Sequence, residues 1–380
     1  VPAALTATLA AAIERCERPC LVFDLARIDA NLAAIASAAA AAGVTALFAA
    51  KSFPDPVVRA IAATRLAGFD VASATEVREV AAVCGAARAG SAGHLLSIAD
   101  PSGRAIAAAA GWRGRLVVSC ETLAQIEAAP GHAEIAIRLS ASITATDPAI
   151  GAVQDGTGHR RSRFGLDVDP AGQRAQLRAL ADAAGSRPAR RARPIGLHVH
   201  HGPVSAASAD RFIATARAAL AAAHAAGVAP QFLNLGGAWH AIADLPRALA
   251  AIRAALPASL EILIEPGRLV SEGAGFAASR IAVARELDDR ALRVLELSRS
   301  CHLRWSQPQL IAPPPRPGCG HPALFVGPTC YEDDVIGEWT IEPARFPAGA
   351  QAILGNITGY ALAWNTGFGG VAPADVVMID

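Results

Sequence analysis

Val44-Thr-Ala-Leu-Phe-Ala-Ala-Lys51-Ser-Phe-Pro-Asp-Pro56 is the stretch on which the reading of this chain turns. It is an apolar, strand-like run that ends on Lys51 and is followed by prolines that open a helix. Lys51 is the only lysine in 380 residues; the other 33 side chains of the Lys+Arg total are arginines. Arginine keeps its proton at any accessible pH, so it neither attacks as a nucleophile nor forms a Schiff base. A desolvated lysine does both. A single amine at a strand end therefore points to chemistry there rather than to a stray surface charge.

Outward from this stretch, short apolar runs alternate with helical patterns. Strands are expected at residues 21–24, 44–50, 68–72, 116–119, 134–139, 194–200, 232–235 and 261–265, with a less clear one near 87–95. Helices are expected at residues 26–42, 75–83, 121–128 and 208–226. Such alternation means parallel βα units, and about eight units in roughly 250 residues is the size of a (β/α)8 TIM-like barrel. A doubly wound open sheet is the alternative; the lack of a Gly-x-Gly-x-x-Gly after the first strand counts against it. Beyond Arg268 helices become rare, and apolar runs at 293–297, 323–326 and 352–354 are separated by Gly and Pro turns. The expected division is a barrel over residues 21–268 and a C-terminal all-β domain over 269–380, with residues 1–20 packed on the latter.

The composition narrows the class of function. A hydrophobic content of 53% is ample for a core, and a net charge of +1 argues against nucleic-acid and membrane-surface partners. The basic run Arg187-Pro-Ala-Arg-Arg-Ala-Arg193 reads as a solvated loop, with a phosphate patch as a weaker reading. Seven scattered cysteines do not form a disulfide framework. Cys16 and Cys20 have helical spacing but no second ligand pair, so no metal is expected. The first residues lack a cationic start and do not read as a signal peptide. The uncharged run 31–50 is long enough to test as a membrane span but is alanine-rich and broken by Gly43, and the expected location is the cytoplasm.

In a barrel, residues at the C-terminal strand ends share one mouth. Lys51, Asp70, Arg138, His200, Gly236-Gly237 and Glu265 all fall at or just past such ends. His198 and His200 lie on one strand, and only one of them is expected to face the mouth. Each residue alone has an ordinary structural reading, a cap or a turn. Together they supply an amine, a flat imidazole, a glycine nest for a phosphate and a buried acid. Those are the needs of pyridoxal 5′-phosphate: a lysine for its aldehyde, close N–H groups for its phosphate and an acid for its ring nitrogen.

The chain resembles the fold-type III pyridoxal-phosphate-dependent decarboxylases, the group of diaminopimelate, ornithine/arginine and carboxynorspermidine decarboxylases. The resemblance runs over nearly the whole chain. It rests on Phe48-Ala-Ala-Lys51, Gly68-Phe-Asp70-Val-Ala-Ser-Ala-Thr-Glu76, Ser162-Arg-Phe-Gly165, His198-Val-His200, Leu235-Gly-Gly237, Glu265-Pro-Gly-Arg268, Gly327-Pro-Thr-Cys330 with Asp334, and Gly359-Tyr360. It implies an alanine racemase-like barrel with a β domain, in a homodimer with shared active sites. It implies Lys51 as the cofactor's Schiff-base lysine, His200 stacked on the ring and Glu265 at the pyridine nitrogen. Gly236, Gly237, Gly267, Arg268 and Tyr360 would hold the phosphate, with Asp70 beside the cofactor. Cys330, from the partner subunit, would reprotonate the carbanion after CO2 leaves, and Asp334 would shape the substrate pocket.

The departures bear on the substrate, which is expected to be a small amino acid or amino-acid conjugate. Ala238 stands where the family often has a third glycine, and Gly202-Pro203 replaces a usual Gly-Ser, with Ser205 as a candidate to compensate. Diamine-forming members carry Asp or Glu after the cysteine; here it is Tyr331. Simple diamine precursors are therefore not expected. A carboxylate-bearing, carboxynorspermidine-like or siderophore-type substrate is, with Arg138, Arg304, Tyr331 and Asp334 as the candidate substrate-binding residues. Diaminopimelate decarboxylation and amino-acid racemisation on the same cofactor are the alternatives.

Overall fold

The structure, a computed structural model, describes residues 6–86, 93–140, 164–166, 172–186, 193–200, 208–316, 318 and 320–380. Ser162, Arg163, residues 187–192 of the basic run, His201, Gly202, Pro203, Ser205, Pro317 and Cys319 lie outside the described residues. So do residues 87–92, within the unclear strand; the strand found there is Leu95–Ile98. The chain divides into two compact units, one of Val1–Asn31, Ser52–Pro54 and Val270–Asp380, the other of Leu32–Lys51 and Asp55–Leu269.

Numbering strands along the chain, β1 is Cys20–Asp24 and belongs to the first unit. The second unit is built on β2 (Thr45–Ala49), β3 (Gly68–Val71), β4 (Leu95–Ile98), β5 (Leu116–Cys120), β6 (Glu134–Leu139), β7 (Ile195–Val199), β8 (Phe232–Asn234) and β9 (Glu261–Ile264). They pair in parallel in chain order, and β9 closes on β2 through Thr45↔Leu263. The expected barrel is present.

Its interior follows from the two-residue period of a strand. Leu47, Leu95, Val117, Ala136, Phe232 and Leu263 form one buried apolar cluster. Gly196 on β7 leaves the space that the Phe232 ring fills, since a Cβ there would run into that ring. Below this layer, Arg115 closes the N-terminal end of the barrel. Its guanidinium pairs with Glu134 at 2.8 Å and with Glu261 at 2.5 Å, and it lies 5.8 Å from the centre of the Phe232 ring. Two residues above the apolar layer, the same strands carry polar side chains, and there the site begins.

The helix Leu25–Ala42 is long and apolar enough, by length and composition alone, to cross a membrane. Its Ile28, Leu32, Ile35 and Ala39 recur at helical spacing and are buried in the protein, as in a core helix.

The first unit continues with β10 (Gly275–Leu287), β11 (Arg290–Leu295), β12 (Gln309–Ala312), β13 (His321–Val326), β14 (Val335–Ile341), β15 (Gln351–Gly355) and β16 (Asp375–Ile379). The path through the sheet is β12-β15-β10-β11-β13-β14, and β1 joins it between β10 and β16. This corrects the expectation that residues 21–24 open the barrel. Cys20–Asp24 runs antiparallel to β10 and parallel to β16. Leu21, Val22 and Phe23 are all buried, and a strand covered on both faces reads as the same apolar run in either sheet. The helix Ala7–Glu14 puts Leu9, Ala12 and Ile13 into one core cluster with Val22, Phe276, Ile353 and Ile379.

Candidate active site

Stepping two residues up from the apolar layer gives Ala49, Asp70, Ser97, Ser119, Arg138, His198, Asn234 and Glu265, seven polar side chains and one alanine. All seven are buried. Lys51 lies two residues beyond Ala49, in the single helical turn Ala50–Ser52. Its Nζ is 3.2 Å from Asp70 Oδ2, and Asp70 is wholly buried while the lysine side chain is 38% exposed. Asp70 Oδ1 has no hydrogen-bond partner among the described residues. The turn after Asp70 is held by Glu76, whose carboxylate accepts the Ala72 N–H at 2.7 Å. Burial raises the Glu76 carboxyl above its ordinary value, and that hydrogen bond opposes the rise.

Glu265 sits just past β9. Its Oε1 accepts from Asn234 Nδ2 at 2.6 Å and lies 3.6 Å from His198 Nε2. Asn234 Oδ1 accepts the Gly236 N–H at 2.9 Å, and Gly236 O accepts the Glu265 N–H at 2.8 Å. The acid and the glycine turn are thus one hydrogen-bonded unit. Burial pushes the Glu265 carboxyl up to about 8, and the neighbouring Asp70 charge adds to it; Lys51, Asn234 and Arg138 pull the other way. The acid therefore stays protonated at neutral pH. His198 is held well below its ordinary value, first by burial and then by the positive charges of Arg138, His200 and Lys51. It is a neutral imidazole with Ser119 Oγ 2.7 Å from its Nδ1.

His200 stands beside the glycine turn. Gly236 has φ +64, and a Cβ on it would lie 2.9 Å from His200 Cα. A Cβ on Gly237 would lie 3.2 Å from His200 Nε2 and 3.4 Å from Glu265 O. Only glycine leaves this space open. Ala238, the residue that departs from the glycine pattern, still takes a left-handed φ of 74. Such a conformation costs an alanine roughly 1 kcal/mol. Pro266 and Gly267 follow Glu265, and Arg268 opens the helical turn Arg268–Ser271.

The expectation that only one of the two histidines faces the site is corrected. Residues two apart on a strand share a face, and His198 and His200 form successive layers on β7 and its end. Arg138, expected to bind substrate, is largely buried: its guanidinium lies 4.7 Å over the Phe164 ring and 3.7 Å from Glu121. Gly165, with φ +81, packs so closely on the Leu139–Ser140 backbone that a Cβ would clash. The described part of the Ser162–Gly165 motif thus fastens the end of β6.

In the other unit, Cys330 is exposed at the tip of a turn. The turn is closed by Gly327 N–H to Asp334 O at 2.8 Å. Asp334 is 2% exposed, and its carboxylate is fully used. It accepts from Ser298 Oγ at 2.8 Å, Ser300 N at 3.2 Å, Thr329 Oγ1 at 2.6 Å and Thr329 N at 3.3 Å. It holds the turn rather than presenting a charge. Tyr331 is 51% exposed, with its ring 6.4 Å from Phe368. Arg304 lies 4.4 Å over Trp364, and Trp305 packs edge-on against both Trp364 and Tyr360. Tyr331, Phe368 and Trp305 are all exposed.

Asn234, Ser119 and His198 were not among the expected site residues. Their signal is the register: each is two residues above the apolar layer.

The family described as "Pyridoxal-dependent decarboxylase, pyridoxal binding domain" matches residues 25–272, nearly two thirds of the chain. No curated protein matches it. Similar solved structures include a Vibrio vulnificus lysine/ornithine decarboxylase complexed with putrescine (21% identity, 98% of this chain and 97% of that one, TM-score 0.74). Others are a Paramecium bursaria Chlorella virus arginine decarboxylase bound to agmatine (19%, 95% and 96%, 0.73) and a Selenomonas ruminantium lysine decarboxylase (18%, 97% and 94%, 0.69). These likenesses establish a shared fold, and with the family match over the barrel that carries the lysine, the acid and the glycine turn, the chain belongs to the pyridoxal-dependent decarboxylases.

Proposed function

We propose that this enzyme decarboxylates an amino acid or amino-acid conjugate, with its cofactor held in the barrel mouth by Lys51. The observation that carries the reading is the half-buried Lys51 paired with buried Asp70, in a barrel whose buried Asn234 and Glu265 are joined to a glycine turn. The residues present fit pyridoxal phosphate. An amine pairs with Asp70 Oδ2 while Asp70 Oδ1 is left without a partner among the described residues, an acid is protonated at neutral pH, and a cradle at Gly236-Gly237 is open where a Cβ would press on His200. When bound, pyridoxal phosphate supplies an aldehyde for an amine and an electron-withdrawing ring that stabilises charge at the α-carbon as CO2 departs.

The chain's own residues do the rest. Lys51 Nζ would hold the aldehyde, with Asp70 keeping the amine in place. Glu265 would present its proton to the ring nitrogen, and His200 would cover one ring face. Gly236, Gly237, Gly267 and Arg268 would bind the phosphate. Cys330 would return a proton to carbon, since a thiol has a pKa near enough to neutrality for that transfer. Its exposed turn, rigidified by Asp334, is suited to enter the active site of a second copy in a cytoplasmic homodimer.

For the substrate, Tyr331 follows Cys330 with no carboxylate in its place, which supports a carboxylate-bearing or carboxynorspermidine-like substrate, with Arg304 as the group for a distal carboxylate. Glu332 and Asp333, exposed next to Tyr331, favour the second reading, a diamine-forming decarboxylase. CO2 release from diaminopimelate, ornithine, lysine, arginine, carboxynorspermidine and citrate-conjugated amino acids separates the two. Ornithine or lysine as the best substrate would refute the first. Lys51→Ala should abolish the visible absorbance of the bound cofactor, and Cys330→Ala should slow amine release while leaving cofactor binding intact.

A further inference from the structure

Ser119 and His198 have no assigned role in holding the cofactor, yet they are buried side by side within the site. Ser119 is 4% exposed and His198 fully buried. Ser119 Oγ lies 2.7 Å from His198 Nδ1, and no other acceptor for the hydroxyl is found among the described residues. A buried hydroxyl with one neighbour is satisfied only by donating to it. Nδ1 is then the acceptor, and in a neutral imidazole the proton must reside on Nε2. Nε2 has no hydrogen-bond partner among the described residues; Glu265 Oε1, at 3.6 Å, is the carboxylate oxygen it faces. The same Oε1 already accepts from Asn234 Nδ2 at 2.6 Å.

We infer that Ser119 and His198 are positioning residues that, with Asn234, direct two N–H donors at Glu265 Oε1 and thereby confine the proton of Glu265 to Oε2. An oxygen that accepts from Asn234 Nδ2 at 2.6 Å and faces the Nε2–H of His198 at 3.6 Å is disfavoured as the proton's site, which leaves Oε2 to carry it. A protonated carboxyl placed here therefore has one orientation, with Oε2–H as its only donor. The other charged groups around Glu265 do not make this choice: Asp70 from β3, Lys51 from the turn after β2 and Arg138 from β6 act on its charge, and none of them donates a hydrogen bond to either of its oxygens. The inference rests on the cofactor reading, since Oε2–H is useful only if a ring nitrogen is there to receive it.

The test uses the holoenzyme and three variants: His198→Phe, His198→Gln and Ser119→Ala. Phe removes both ring nitrogens, Gln returns an N–H near the Nε2 position, and Ala frees the imidazole to take the other tautomer. Two readouts are followed, the pH midpoint of the bound cofactor's visible absorbance and kcat separately from KM. His198→Phe should move the midpoint by about one pH unit and lower kcat by at least roughly 10-fold with little change in KM, a fraction of what a placed acid contributes. Ser119→Ala should move both in the same direction by a smaller amount, and Gln should restore kcat to within about threefold of wild type. Thermal unfolding reports whether His198→Phe folds; if it does not, Ser119→Ala, the loss of one hydroxyl, decides. Wild-type midpoints and kcat in Ser119→Ala and His198→Phe would overturn the inference, as would a Gln variant no better than Phe. A wild-type protein that binds no pyridoxal phosphate would instead overturn the cofactor reading, and this inference with it.

Discussion

Replacing Glu265 with Gln should alter how the stability of the cofactor-free protein depends on pH. Glu265 is 2% exposed and its carboxyl is pushed from 4.5 up to about 8, by burial first and by Asp70 second. Below pH 4.5 the folded and unfolded chains both hold the proton. Between 4.5 and about 8 the unfolded chain releases it while the folded one keeps it, so stability falls as pH rises through this window. At roughly 1.4 kcal/mol per pH unit the whole window is worth about 5 kcal/mol. The Asp70 charge adds to the rise and Lys51 opposes it. A glutamine is neutral throughout and keeps an oxygen for Asn234 Nδ2, so the variant should match wild type near pH 5 and exceed it near pH 8. With an unfolding entropy of ~2.1 cal/mol/K per residue over 380 residues, the excess at pH 8 is roughly 6 °C in Tm. Thermal melts of both proteins at pH 5, 6.5 and 8 measure it. Parallel pH dependence in the two would mean that Glu265 is ionised in the folded protein, and the argument for a ring-facing proton would collapse.

Two further substitutions probe the frame around the site. Gly236→Ala places an alanine at φ +64 with its Cβ 2.9 Å from His200 Cα, and should cost about 1–3 kcal/mol of stability while weakening cofactor binding roughly 10-fold or more; a titration of the apoprotein with pyridoxal phosphate reads the second effect. Arg115→Met leaves Glu134 and Glu261 facing each other at the barrel base, and should cost about 2–4 kcal/mol in denaturant unfolding with little effect on kcat. Adding Glu134→Gln to that variant should recover part of the loss.

The barrel was legible because its strands and helices alternate and because Lys51 is unique in the composition. The second sheet was legible only as a change of texture. Its membership was not, since Leu21-Val-Phe23 is buried on both faces and nothing in a uniformly apolar run says which sheet will receive it. The site divides in the same way. Lys51, Asp70, His200, Gly236, Gly237 and Glu265 stand at strand ends, and strand ends can be counted along a sequence. The role of Asp334 was hidden because its four donors come from two segments, 298–300 and Thr329, whose meeting depends on the folded turn.

The polar ring that carries Glu265 follows from the strand period. Once one apolar ring of the barrel is assigned, the strand period leaves no choice about the next ring: Val117 implies Ser119, Gly196 implies His198, Phe232 implies Asn234 and Leu263 implies Glu265. The same period places His198 and His200 on one face, where they form two layers with different tasks. What the period cannot supply is the contact between Ser119 on β5 and His198 on β7, with Arg138 of β6 between them in the strand order. Two strands that are not neighbours touch only across a closed interior, and closure is a property of all eight strands together. The orientation of the Glu265 proton thus depends on the one feature of a barrel that no single βα unit contains.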